Sequence, residues 1–333
     1  MSDPIVQGYL QWERGISLTI SNENRILDLS DLHIIFDVKS YFNKTPKTLR
    51  CRVYNIKDDT ATSLAQGGEI VLQAGYQNNI GTIFSGQLIQ FRKGREKGCD
   101  TFIDLTATDS DAFFSGGFST TSIAAGTSLN GVIYQLSQGG TVPLNVDQKQ
   151  INTNQPITDN TIIRGRSYFG MTKDYLSCSL AAAGASWTVQ NNQLAVTGNN
   201  LGTNPSNIPL ISAATGLIDI PTQTIEGIQC KVLLNPNLYQ NMFIELNTKD
   251  IILKELAINQ IGQSNPTGAN ASSYESGGYG NLPQPSSTDS GTYKILYVTH
   301  NGDTRGNSWF TDFVCYMPVG GSLTPAQAAY LPA

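Results

Sequence analysis

The sequence predicts a mainly β chain with a small α+β insertion: two related antiparallel β-barrel domains flanking an inserted helix–helix–hairpin domain. Three observations predict it. Residues 69–109 hold three short apolar runs, each broken by Gly, Asn or a charge cluster, and alternation with a period of two marks half-buried strands. Residues 128–138 place Leu129, Val132, Ile133 and Leu136 at i, i+3, i+4 and i+7, one stripe of an amphipathic helix. The strand pattern at residues 50–55 recurs at 229–235, which points to an internal repeat.

Composition agrees. Only 14% of the 333 residues are charged, 32 are Gly and 9% are aromatic, the texture of a β-rich, turn-rich protein. The length allows two or three domains. A net charge of −5 argues against a basic nucleic-acid-binding surface. The start lacks a signal-peptide pattern, and no apolar run approaches the ~20 residues of a membrane helix. Cys51, Cys99, Cys178, Cys230 and Cys315 are spread widely without a CxxC, so buried thiols are expected. With two histidines, His33 and His300, a His-based metal site is not expected.

In order along the chain, residues 8–20 and 31–42 read as strands joined by a polar turn at 22–24. Leu32, Ile34, Phe36 and Val38 share one face, and His33 lies on the less buried one. Residues 49–56 form the next strand, with Leu49, Cys51 and Val53 opposite Arg50 and Arg52. Residues 57–66 suggest a short helix. The meander of residues 69–109 follows, with Ile103, Leu105 and Ala107 on one face and residues 93–98 as a charged hairpin tip. This completes a first β-barrel domain, residues 1–115.

Residues 116–207 form the insertion. Residues 113–122 read as a linker, and Thr127 as the cap of the helix that Gly139-Gly140 stops. Residues 145–163 give no assignment. A second helix is expected over 173–183, capped by Thr172, with Tyr175, Leu176, Leu180 and Ala183 inward. A hairpin pairs residues 187–189 with 193–197 across Asn191-Asn192. The second β-barrel domain, residues 208–323, takes strands at 216–224, 227–235, 242–247, 293–300 and 308–317. Residues 262–292 form a long polar loop, expected to be mobile or ordered by a neighbour. Residues 324–333 are a tail with one helical turn.

Catalytic constellations are scarce. His300-Asn-Gly-Asp303 could be an acid–base pair, but Asn-Gly is the stronger hairpin signal, so His300, Gly302 and Asp303 are assigned to a structural hairpin. Trp309, on the strand after it, is assigned to the barrel core. Asp109-Ser-Asp111 lacks the rest of a calcium loop. Gly116-Gly117 and Gly277-Gly278 fit no phosphate-binding pattern. Nothing pairs Glu13, Glu69, Glu226 and Glu245 as glycosidase carboxylates. The chain is read as a non-enzyme without catalytic, cofactor-binding or metal-binding residues.

Val53-Tyr-Asn-Ile56, Leu72-Gln-Ala-Gly-Tyr76, Ile83-Phe-Ser-Gly86 and Leu105-Thr-Ala-Thr-Asp109 follow one another in the first part of the chain. Asp174-Tyr-Leu176, Ala183-Gly-Ala-Ser-Trp187, Thr215-Gly-Leu-Ile218, His300-Asn-Gly-Asp303 and Trp309-Phe-Thr311 continue the series. Lined up in this order, they resemble the baseplate hub proteins of contractile phage tails, and the related base of the type VI secretion spike protein. The resemblance implies a homotrimeric ring with pseudo-sixfold symmetry joining the tail tube protein to the central spike protein. Tape-measure and baseplate wedge proteins are further implied neighbours, and the location is the virion tail baseplate, assembled in the host cytoplasm. DNA would pass through the channel without specific binding, which suits a low positive charge, and no membrane insertion is implied. The competing reading is a β-rich receptor- or glycan-binding tail protein, with Tyr274 and Tyr279 of the long loop as its partner-contacting platform. A peptidoglycan hydrolase is a third reading.

Overall fold

The computed structural model describes residues 12–22, 25–41, 45–57, 60, 68–96, 98, 100–146, 161–182, 185–191, 193–198, 208–224, 227–247, 252–253 and 290–316. The chain is mainly β. Its first half holds β1 (Arg14–Asn22), β2 (Arg25–Asp28), β3 (Ile34–Ser40), β4 (Thr48–Tyr54), β5 (Glu69–Tyr76), β6 (Asn79–Glu96) and β7 (Asp100–Thr108). They lie in the order β3-β4-β7-β6-β5-β1-β2, all antiparallel. The expected alternation sets the core: Ile34, Phe36, Val38, Leu49, Cys51, Val53, Ile103, Leu105 and Ala107 all point inward.

Two details differ from the sequence reading. The extra strand β2 folds back on β1, with Asn22 opposite Arg25; its four residues are too few to display a period. The charged residues 93–96 do not form a hairpin tip, because the β6–β7 ladder runs on to Glu96 opposite Asp100. Their charges sit on the solvent face of a strand. Arg92 and Arg52 both grip the Asp104 carboxylate, at 2.6 and 2.7 Å, and Tyr54 donates to Glu96 at 2.9 Å. The helix expected over 57–66 lies almost wholly outside the described residues.

The middle of the chain contains α1 (Asp111–Gly116), β8 (Phe118–Ile123), α2 (Leu129–Gln138), β9 (Asn145–Val146), β10 (Arg166–Met171), α3 (Thr172–Ala182), β11 (Ala185–Gln190) and β12 (Gln193–Gly198). Its own core gathers Phe113, Val132, Ile133, Leu136, Leu176, Leu180, Leu194 and Val196. Residues 113–122 are not a linker: they end α1 and form β8, whose Ser and Thr residues pair with β10. Ser128, not Thr127, caps α2 by accepting from the Gly131 amide at 3.2 Å, while Thr127 donates to the Ala124 carbonyl. Thr172 is the first residue of α3 rather than its cap, and its buried hydroxyl meets Ser119 at 2.6 Å. Ala183 lies outside the described residues.

The second half holds β13 (Leu210–Ile211), β14 (Thr222–Gln223), β15 (Ile228–Leu233), β16 (Phe243–Asn247), β17 (Ile252–Leu253), β18 (Ser290–Asp303) and β19 (Trp309–Tyr316). The strand expected over 216–224 is reduced to β14, and a single 3₁₀ turn at residues 213–215 precedes it. The loop expected over 262–292 ends sooner, because β18 begins at Ser290; its earlier residues, with Tyr274 and Tyr279, lie outside the described set. So does the 324–333 tail.

The halves share one plan. The order β3-β4-β7-β6-β5 is matched by β14-β15-β19-β18-β16, with every pair antiparallel. Cys51 faces Leu105 as Cys230 faces Phe313, and Arg52 faces Asp104 as Lys231 faces Asp312. Even the bulge matches: the ladder skips Ile89 in β6 and Leu296 in β18, at the same register. With a second skip, of Ile83 against Leu72 and Gln73 in β5, it is why sequence parity misleads across residues 83–89, since a bulge moves every later side chain to the other face.

Among the described residues the strands do not close into two separate barrels. They form one 14-stranded sheet, joined where β18 pairs β3. Of the cysteines, Cys51, Cys230 and Cys315 are buried as expected and Cys178 is exposed. It lies on the solvent side of α3, away from Leu176 and Leu180. Among the described residues no helix is long and apolar enough to cross a membrane.

Candidate functional site

The joint between the chain's halves gathers His300, Gly302, Asp303 and Trp309. Val298–Asp303 of β18 pair with Ile35–Ser40 of β3. His300 and Gly302 are therefore strand residues, and the turn lies beyond them at residues 304–307. The Asn-Gly turn signal loses here to packing. A Cβ on Gly302 would stand 2.2 Å from the Phe36 ring, so only glycine lets that ring cross the strand.

Asp303 organises the true turn. Its Oδ1 accepts from the Arg305 and Gly306 amides, both at 2.9 Å, the local bonding that suits Asp to turns. The same oxygen meets His33 Nε2 at 2.8 Å. Burial works against ionisation of Asp303, but the Arg305 amide, His33 and the Gly306 amide outweigh it and hold its carboxyl below the usual range. His33 stacks on Tyr54 with ring centroids 4.7 Å apart. Thr304 accepts from the Ile34 amide at 3.0 Å, and Arg14 donates to the Gly306 carbonyl at 2.6 Å. The second half's turn is thus latched by three positions of the first half.

Trp309 completes the joint. It starts β19, yet it packs in the first half's core, 2% exposed. Its indole N–H donates to the Gly75 carbonyl at 3.2 Å. Phe36 meets its ring edge-on at 5.5 Å, and the Arg14 guanidinium lies over it at 5.5 Å. On the far side, Asn79 and Asn235 join the β5–β6 turn to the loop after β15, at 3.1 Å.

His300 has no acid–base geometry. It is 3% exposed, its Nδ1 meets Thr311 Oγ1 at 2.9 Å, and burial together with nearby Lys47 pushes its pKa down to about 3. It is neutral, and Asp303 is occupied by its turn. The role missed in the sequence is that of His33, whose partner lies 270 positions away; no local pattern could announce it. Among the described residues no cluster of His, Cys, Asp or Glu could hold a metal.

A second feature belongs to this surface. β18 uses one edge twice: Ser290–Lys294 pair β16, and after the bulge Val298–Asp303 pair β3. Its counterpart β6 pairs β5 up to Gln87, but beyond the bulge no described strand lies against the same edge.

No protein-family model matches the chain, and no curated protein matches it. Solved structures are similar to it. One is the tail protein from Neisseria meningitidis MC58, at 10% identity and TM-score 0.49, over 95% of this chain and 99% of that one. Another is the 43 kDa tail protein of prophage MuSo2 from Shewanella oneidensis, at 10% identity and TM-score 0.49, over 92% and 98%. The E. coli c3393 protein, a component of the type VI secretion system, is similar at 10% identity and TM-score 0.47, over 92% and 80%.

Proposed function

We propose that the chain is the structural hub of a phage tail baseplate. Three copies form a ring of six similar β units, each a tube-like barrel completed by its neighbours, between tail tube and central spike. The observation that carries this reading is the vacant edge of β6. Inside one chain, the second half's long hairpin docks on the first half through β18 and β3. The first half has the same hairpin with the same bulge, and its corresponding edge lacks a partner among the described residues. Exposed strand edges invite pairing. A head-to-tail contact that repeats the internal joint makes a ring if its rotation closes.

The place that would receive it is the second half's counterpart of β3, namely β14 and the residues before it. There Ile218 and Ile220 are 48% and 60% exposed, and among the described residues only the two-residue β17 lies against the edge of β14 away from β15. The role is architectural, with the insertion projecting from the ring and DNA passing through without specific contacts. Cryo-electron microscopy of the complete tail tip tests it. The expected density holds three copies, with the two halves alternating around the axis. Six copies, or halves stacked along the axis, would rule the ring out.

A further inference from the structure

The insertion carries an open sheet edge with its own recognition chemistry, independent of the ring. We propose that this edge, along β10, docks an extended acidic segment of a partner protein, added as a third strand beside β10 and β8. Among the described residues β10 pairs only with β8. At one end the edge is already plugged: the Tyr175 hydroxyl donates to the Phe169 carbonyl at 2.7 Å and accepts from its amide at 3.3 Å. Phe169 therefore turns its backbone groups away from β8. Antiparallel strands alternate in this respect, so Ser167, two residues earlier, turns its amide and carbonyl outward as well.

The side chains beside that opening define the ligand. Arg164, Arg166 and Tyr168 share a parity and line a cavity of about 720 Å³, floored by Leu129 and Val132 of α2 and Ala182 of α3. Tyr168 is 7% exposed, whereas both arginines are exposed. Among the described residues no carboxylate pairs with either arginine. Ile163 is 91% and Phe169 76% exposed, an apolar surface at each end of the edge. A strand added here would point alternate side chains toward the cavity. Acidic residues would meet the guanidinium forks, which match carboxylates in bidentate geometry, and an apolar one would enter the cavity.

The test uses the full chain and a fluorescein-labelled peptide with Asp, Glu and Val in turn at alternate positions and Thr between them, read by anisotropy. A second peptide carries Lys at every acidic position. The acidic peptide should bind saturably and the basic one should not. Arg164→Glu with Arg166→Glu should weaken the acidic peptide about tenfold or more and reverse the preference. Ser167→Pro deletes an outward amide, which edge strands tolerate, and an exposed hydroxyl contact to Ser122 at 3.1 Å, which Ser167→Ala removes alone. Ser167→Pro should lose binding and Ser167→Ala should keep it, both with little change in melting temperature. Amide exchange at Ser167 should slow when the acidic peptide is present. Three results would overturn the proposal: no saturable binding, binding indifferent to the arginine reversals, or a Ser167 amide already protected in the free chain. The last would mean that the chain itself covers the edge.

Discussion

At the residue scale, two side chains show how sequence and packing divide the information. Trp309 declares itself as a core residue by its size and strand position, but not which core. Its indole fills the first half's interior, so it acts as a peg between halves. Trp309→Ala should cost about 3–5 kcal/mol, the usual range for a buried large aromatic, and urea unfolding will measure it. Trp309→Phe should cost less, keeping the edge-on contact with Phe36 and losing the bond to Gly75. An unchanged midpoint in Trp309→Ala would show that the joint does not depend on it. His300 gives a pH prediction. Its folded pKa is about 3, against about 6.5 in the unfolded chain. Between those values the unfolded state binds the extra proton, so this stability is present above about pH 6.5 and is lost as pH falls toward 3. From pH 7.5 to 4.5 the loss due to His300 should be about 2–3 kcal/mol. His300→Gln should lose that much less over the same interval, whatever its stability at neutral pH. Parallel pH curves for the two proteins would contradict a buried neutral imidazole.

At the element scale the bulge decides what was legible. Strand residues such as Ile103, Leu105 and Ala107 follow strict alternation and could be read directly. So could the α2 stripe, whose four named residues are all buried. Residues 83–89 could not, because a skipped residue is invisible to a period-of-two argument. The charged run at 93–96 misled for a different reason: strand faces in water and turns select the same residue types. The joint itself was beyond reading, since His33 and Asp303 meet only through the fold. The bulge also separates two residues of equal register. Leu296 is 1% exposed and Ile89 54%. Leu296→Ala should therefore cost about 2–4 kcal/mol, and Ile89→Ala no more than about 0.5 kcal/mol in the monomer. Equal losses for both would show that Ile89 is covered within the single chain.

At the scale of the whole molecule, the repeat turns a topology into a distance prediction. Within the chain Asp303 lies opposite Ile35. Carrying each residue to its counterpart in the other half sends Asp303 to Glu96, through the shared β6–β18 register, and Ile35 to Ile218, which lies opposite Lys231 as Ile35 lies opposite Arg52. In a ring built by repeating the joint, Glu96 of one copy therefore faces Ile218 of the next. Opposed Cα atoms in antiparallel strands stand about 4.5–5.5 Å apart, within the roughly 4.4–6.8 Å that a disulfide spans. Glu96→Cys with Ile218→Cys, in a Cys178→Ser background to remove that exposed thiol, should crosslink in assembled tails under mild oxidation. Non-reducing gels should show species of two and three chains and nothing longer, because closure uses every edge. Neither single variant should do so. The free chain should crosslink weakly, since β17 lies against β14 until a neighbour arrives. A ladder beyond three chains would mean an open or larger assembly. Unlinked chains in intact tails would mean that the vacant edge of β6 is paired with something other than a second copy.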